Sequence, residues 1–253
     1  DCRVHRRDVV RDRHGERRGR LDAADLLVGD RVGATDRRGK QLALVGAKGR
    51  VVLLHLGMSG RVLVLGPDAG PPGAHTHLVW TLADGRRVVF RDPRRFGGVW
   101  LLDSPGELAA RWAELGPDAL GVTGPQLASA LGASQRAVKA ALLDQRAVAG
   151  IGNIYADESL FEARIAPTRA CSSLSGQEWA RLAAAVRRVL DRAVEAGGST
   201  LRDYRRPDGS AGNAASGHRV YARAGMPCPV CGGAIAGRVL AQRSTCWCPA
   251  CQH

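Results

Sequence analysis

Two Cys-x-x-Cys pairs, Cys228-Pro-Val-Cys231 and Cys248-Pro-Ala-Cys251, are separated by sixteen residues, and no other feature of the 253-residue sequence restricts its folding as tightly. Each pair presents two thiolates from one turn. Two such knuckles close a tetrahedral Zn²⁺ site with no open position, which is a structural arrangement. A redox pair is normally a single Cys-x-x-Cys, and a disulfide framework spreads its cysteines along a short secreted chain. Here Cys2 and Cys171 stand alone while Cys228, Cys231, Cys246, Cys248 and Cys251 crowd the last segment. The pattern points to one structural zinc ion in a reducing compartment. Cys246 has no place in a four-coordinate site and reads as a buried or half-exposed spectator. Between the knuckles, Arg238, Gln242 and Arg243 fall on a hairpin, either as a solvated face or as phosphate contacts.

Charge narrows the partner. With 37 Lys and Arg against 24 Asp and Glu, the net charge is +13, far more than solubility requires. A polyanion is the matching ligand. A GC-rich genome explains why Arg outnumbers Lys, but not the surplus of cations. The 45% apolar content is that of a globular chain rather than a disordered one. No apolar run approaches the ~20 residues that cross a bilayer, and no signal peptide is visible.

The first hundred residues read as strands. Val51–Leu56 is a β-branched and Leu-rich run. Leu78–Leu82 leads through Ala83-Asp84-Gly85-Arg86 into Arg87–Phe90, a hairpin pattern, and the Gly- and Pro-rich stretch from Gly66 to Gly73 is a loop. After Ser104 the character becomes helical. Thr123-Gly-Pro-Gln126 and Ser175-Gly-Gln-Glu178 have the form of capping boxes, the second opening a helix that ends before Gly197-Gly198. Ser134 is placed to cap a helix running through Lys139 to about Leu143, and the segment from Arg205 to Gly217 reads as mobile. The organisation expected is α+β and multidomain: an N-terminal β-sandwich over 1–103, a helical domain over 104–217 and a zinc ribbon over 218–253.

The most distinctive stretch is Ala149-Gly-Ile-Gly-Asn-Ile-Tyr-Ala-Asp-Glu-Ser-Leu-Phe161. Its glycines allow a tight turn and Asn153 then caps a helix, giving free amides and a helix dipole suited to a DNA phosphate; taken alone, the stretch is better read as an ordinary Gly-rich helix start. Together with Arg37-Arg-Gly-Lys40, His55-Leu-Gly-Met-Ser-Gly60, Asp92-Pro-Arg-Arg-Phe-Gly97, Val138-Lys-Ala-Ala-Leu-Leu-Asp-Gln145 and the zinc knuckles, it resembles the helix–two-turns–helix signature of the formamidopyrimidine-DNA glycosylase and endonuclease VIII family. The motifs stand in the family's order from about Lys40 to His253.

The resemblance implies base-excision repair: an enzyme that flips an oxidised base from duplex DNA, excises it and cuts the strand at the abasic site. It assigns Met58, Arg94 and Phe96 to filling the vacated stack, Arg94 also meeting DNA directly. Lys40, a plain surface charge on its own evidence, becomes the lysine of the strand-cutting step, and Arg243 the zinc-hairpin arginine linked to the final elimination. His75, Arg136, Lys139 and Asn153 become phosphate contacts, although His75 and His77 by themselves read equally as loop histidines. The implied cofactor is one Zn²⁺ on Cys228, Cys231, Cys248 and Cys251. The implied partner is double-stranded DNA carrying oxidised bases or abasic sites, met by a monomer in the bacterial cytoplasm with no membrane involved.

Two departures accompany the likeness. Family members begin Pro-Glu, whose amine is the nucleophile, whereas Asp1-Cys-Arg-Val aligns within the first strand, so the family's first helix is expected to be absent. Cys246 replaces a usual aromatic residue. Gly198–Tyr204, Asp208–Gly212 and His218–Tyr221 resemble the branch acting on 8-oxoguanine and formamidopyrimidines. The alternatives are an endonuclease VIII-type pyrimidine glycosylase and a DNA-binding relative without catalysis. A zinc-ribbon transcription factor leaves Met58, Arg94 and Phe96 without a role.

Overall fold

In a computed structural model, the residues described are 2–4, 10–11, 26–198, 208, 210 and 212–253. They divide into two compact units, one drawn from residues 1–113 and 197–213, the other from 114–196 and 214–253.

The first unit is a β-sandwich. One antiparallel sheet runs β1 (Cys2–Val4), β7 (Thr76–Thr81), β8 (Arg87–Arg91), β6 (Arg61–Leu65). The other runs β2 (Val10–Arg11), β9 (Gly98–Leu102), β5 (Val51–His55), β4 (Gln41–Gly46), β3 (Val32–Arg38), with β2 parallel to β9. Strand alternation sends Leu78, Trp80, Phe90, Val52, Leu54, Val99 and Leu101 into one shared core. The central strand β5 is buried on both faces, which is why its sequence is an uninterrupted apolar run. Helix α1 (Pro105–Ala113) lies along the outer side of the five-stranded sheet: Trp112 Nε1 donates to Gln41 Oε1 at 2.9 Å, and the Arg111 guanidinium sits 4.9 Å from the Trp100 ring. The expected hairpin at Asp84-Gly85 joins β7 to β8, closed by Leu82 N–H donating to Arg86 O at 2.8 Å.

The second unit packs α2 (Gly124–Leu131), α3 (Val138–Leu142), α4 (Asn153–Ala163) and α5 (Gly176–Glu195) around Leu127, Leu142, Ile151, Leu160, Trp179 and Leu182. Both capping boxes form as the sequence predicts. Gly124 is fixed by packing, since a Cβ there would lie 2.7 Å from Ala180 Cα. The hairpin β10 (Ala236–Leu240) and β11 (Arg243–Trp247) completes the unit.

Two helix starts differ from expectation. Ser134 is not the cap of α3, which begins only at Val138, because residues 134–137 run outside the helix and are bonded to the segment 170–172. Cys171 N–H donates to Arg136 O, Ser172 N–H donates to Ser134 O, and Ala137 pairs with Ala170. The cap of α4 is Gly152, and Asn153 is its first helical residue, so its side chain is turned to another use. Of Arg205–Gly217, expected to be mobile, residues 205–207, 209 and 211 lie outside the described residues, and Ala214–Gly217 form a 3-10 turn. Among the described residues, no helix is long and apolar enough to cross a membrane.

Candidate DNA-contacting surfaces and zinc centre

In the sandwich, two turns rest on each other. Gly57 adopts φ +60°, and a Cβ on it would stand 2.4 Å from the carbonyl carbon of Phe96, so the 57–60 turn presses on the 92–97 loop backbone to backbone. The fully buried Asp92 joins them. Ser59 Oγ donates to Asp92 Oδ1, Gly97 N–H donates to Oδ2 at 2.7 Å, and Arg94 N–H donates to Ser59 Oγ at 3.2 Å. Behind Asp92, its N–H reaches His75 O at 3.1 Å and its carbonyl accepts from His77 Nε2 at 2.9 Å. At the front, Met58 and Phe96 are 63% and 59% exposed, with the Arg94 guanidinium 5.4 Å from the Phe96 ring. Two large apolar side chains held out in water by a buried polar network have no part in this unit's core.

His75 is itself in the left-handed region, at φ +62°. Lys40 follows Gly39 in the turn between β3 and β4, beside His55, whose partner across the sheet is Gln41. His55 Nδ1 accepts from Gly57 N–H at 3.1 Å, which fixes the ring, and burial with the charge of Lys40 holds its pKa below the usual imidazole range.

In the second unit the four cysteine Sγ atoms of the two knuckles all lie within 4.8 Å of one another, spacing that suits thiolates around one Zn²⁺ at about 2.3 Å each. Burial and the neighbouring thiols push Cys251 up to about 12. Four crowded thiols ionise together only around a cation, so the donor set fits structural zinc.

The hairpin carried by this centre is bolted to the helices. Lys139 Nζ meets Asp157 Oδ1 at 2.7 Å, both side chains fully enclosed, and also donates to Ser244 O at 2.6 Å and Thr245 Oγ1 at 2.9 Å. Asp157 Oδ2 accepts from Cys246 N–H at 3.0 Å, and Asn153 Nδ2 donates to Ser244 O at 3.1 Å. Burial pushes Asp157 up to about 6 and Lys139 down. Glu158 takes the N–H groups of Arg219, Val220 and Tyr221 at 2.8–3.1 Å. Arg243 stands exposed beside the tight turn at Ala241 and Gln242, both at positive φ.

Family models match along the length of the chain: the formamidopyrimidine-DNA glycosylase N-terminal domain over residues 1–99, the H2TH domain of the same enzymes over 115–205, and the zinc finger found in FPG and IleRS over 225–253. The formamidopyrimidine-DNA glycosylase of Roseiflexus sp. (strain RS-1) is 48% identical over 90% of this chain and 84% of its own length. The MutM (Fpg) protein of Thermus thermophilus superposes with a TM-score of 0.79 at 44% identity, over 88% of this chain and 84% of that one. Lactococcus lactis Fpg in complex with abasic-site DNA gives 0.85 at 28% identity, over 100% and 91%. The chain belongs to the formamidopyrimidine-DNA glycosylase family. It is thus a DNA-repair glycosylase by family, with a zinc finger and a DNA-binding fold.

As a member of the formamidopyrimidine-DNA glycosylase family, the chain gathers its expected residues in two groups. Met58, Arg94, Phe96 and His75 share the Asp92 network of the first unit, with Lys40 beside His55. Asn153 meets β11 next to Arg243 in the second. Arg136 lies apart, bonded to Asp144 at 3.1 Å and to Ala140 O at 3.0 Å. Lys139 corrects the sequence reading: a side chain enclosed with Asp157 presents no charge to a phosphate, and it serves instead as an anchor beneath the hairpin. The residues that sequence reasoning missed are His55, Ser59, Asp92, Asp157, Glu158 and Thr245. All but Thr245 sit inside the motifs already quoted, where a carboxylate or hydroxyl among turn and apolar residues was the available signal. Of the segments resembling the 8-oxoguanine branch, Gly198, Asp208, Ser210, Gly212 and His218–Tyr221 are described, and Ser199–Tyr204, Gly209 and Ala211 lie outside the described residues.

Proposed function

We propose that this chain is a bifunctional DNA glycosylase and abasic-site lyase that acts on oxidised purines, 8-oxoguanine and formamidopyrimidines, in duplex DNA. The observation that carries the reading is the exposed Met58, Arg94 and Phe96 held by a buried network. An enzyme that extrudes a base must replace its stacking, and a thioether, a guanidinium and a ring do so while facing the orphaned partner. Lactococcus lactis Fpg has been solved with a FAPY-dG containing DNA, and MutM with carbocyclic 8-oxo-G containing DNA, which supports the same lesion class here.

The other roles follow. Arg243 grips the phosphate beside the lesion and assists the elimination, with Asn153 beside it and His75 on the first unit as further phosphate contacts. Arg136 joins them by exchanging its bond to Asp144 for a phosphate. Lys40 serves the strand-cutting step. The zinc ion holds the hairpin, and the reaction does not pass through it. Excision itself needs an amine against C1′ and a carboxylate for proton transfer. The family pattern supplies both from a Pro-Glu start, which the 253 residues do not contain. The assay therefore uses the chain preceded by that start and the family's first helix. Release of 8-oxoguanine and formamidopyrimidine in preference to thymine glycol is expected, and preference for the oxidised pyrimidine refutes the purine reading.

A further inference from the structure

We propose that Asp92 is the positioning residue that makes Met58, Arg94 and Phe96 a single preassembled wedge, so that the gap left by a flipped nucleotide is filled in one step. The inference rests on the reading of those three residues under Proposed function and extends it to a residue that touches no DNA.

Three features carry it. First, the wedge residues come from two turns far apart in sequence, and their main link is Asp92: one carboxyl oxygen takes Ser59 Oγ from the Met58 turn, the other takes Gly97 N–H from the Phe96 loop. Second, Ser59 Oγ also accepts from Arg94 N–H, so one hydroxyl ties the Met58 turn and Arg94 to the same buried carboxyl that holds Gly97 beside Phe96. Third, Asp92 is wholly enclosed, with its backbone fixed by His75 and His77, so it has no freedom to release one turn and keep the other. An exposed Met and an exposed Phe on unlinked turns would each lose side-chain and backbone entropy on entering the stack. Fixing the turns beforehand removes the backbone part of that cost.

The test uses a duplex with 2-aminopurine opposite a tetrahydrofuran abasic analogue, whose fluorescence reports stacking at the gap, with affinity for damaged and undamaged duplex measured in parallel. Asp92→Asn cannot accept from both donors, and Ser59→Ala removes the bridge while leaving the Asp92–Gly97 bond. Each is expected to keep its affinity for undamaged duplex, to lose preference for the abasic duplex by about tenfold, and to lose the fluorescence signature. Combined with Met58→Ala, neither should add a further loss, because the wedge acts as a unit. A merely structural residue would lower thermal stability without this non-additivity. If Asp92→Asn does not fold, Ser59→Ala decides. If Met58→Ala alone leaves discrimination intact, the wedge reading fails and this inference with it. If Met58→Ala loses discrimination while Ser59→Ala and Asp92→Asn retain it, or if the losses simply add, the inference alone is overturned.

Discussion

Replacing Lys139 by Met should be among the most damaging single changes in the second unit. The substitution keeps much of the side-chain volume and removes the ammonium. Asp157 is then left enclosed without its partner, while Ser244 O and Thr245 Oγ1 lose a donor. Removing one member of a buried pair typically costs about 3–5 kcal/mol, chiefly the uncompensated charge left behind. Asp157 lessens that by taking a proton, since burial already pushes it up to about 6. The sign is then fixed. A carboxyl whose folded pKa lies above its unfolded value adds stability below the unfolded value and loses it as pH rises through the folded one. Lys139→Met, which removes the charge that favours ionised Asp157, should therefore lose most stability at pH 7 to 8 and recover part of it near pH 5. Urea unfolding at both pH values measures this, with zinc content and duplex affinity followed on the same samples. A loss below about 0.5 kcal/mol at pH 7.5, the range of ordinary surface changes, or a loss that does not shrink at pH 5, would refute the anchoring role.

Three further outcomes are expected. Glu178 is held down to about 2 by Arg169, at 2.5 Å, and by the Ser175 cap; its stabilisation is present above its ordinary range near 4.5 and disappears as pH falls through about 2. Glu178→Gln should cost at most roughly 3 kcal/mol at pH 7 and flatten the acid limb of a thermal-stability profile. Purified chain should carry one zinc ion by elemental analysis, and chelation should loosen the β10–β11 hairpin and weaken duplex binding; zinc-free protein whose DNA affinity ignores chelators would contradict the metal role. Arg243→Ala should weaken duplex binding by about 1–3 kcal/mol and reduce its salt dependence by about one phosphate contact. An unchanged salt slope would remove Arg243 from the phosphate contacts.

Much of the fold was legible because local and global signals agree. The capping boxes at Thr123 and Ser175 are complete within four residues, and the uninterrupted Val51–Leu54 run reports a strand covered on both sides. The zinc site needed only spacing. What the sequence hid were consequences of tertiary pairing. Ser134 has the chemistry of a cap, but its neighbours are claimed by residues 170–172. Lys139 reads as a phosphate ligand until Asp157, one helix away, is seen to enclose it. Asp92 precedes Pro-Arg-Arg as an ordinary turn carboxylate would, and its bond to the distant Ser59 is visible only in the fold. Charge and motif point to the residues that meet DNA, whereas the residues that hold them depend on partners as far as 106 positions away.

The central claim, excision by an amine followed by strand cutting, is tested most directly by borohydride trapping on a duplex with 8-oxoguanine. Trapping reduces the imine between enzyme and sugar to a stable bond. Preceded by Pro-Glu and the family's first helix, the chain should give a covalent complex and a cut strand, with the peptide linkage at the added proline. The 253 residues alone should bind an abasic duplex yet trap little, because an amine not held against C1′ lacks the effective molarity that positioning supplies. No trapped complex from the extended chain would contradict the enzyme assignment. Strong trapping by the unextended chain, abolished by Lys40→Ala, would contradict the assignment of the nucleophile and make it Lys40.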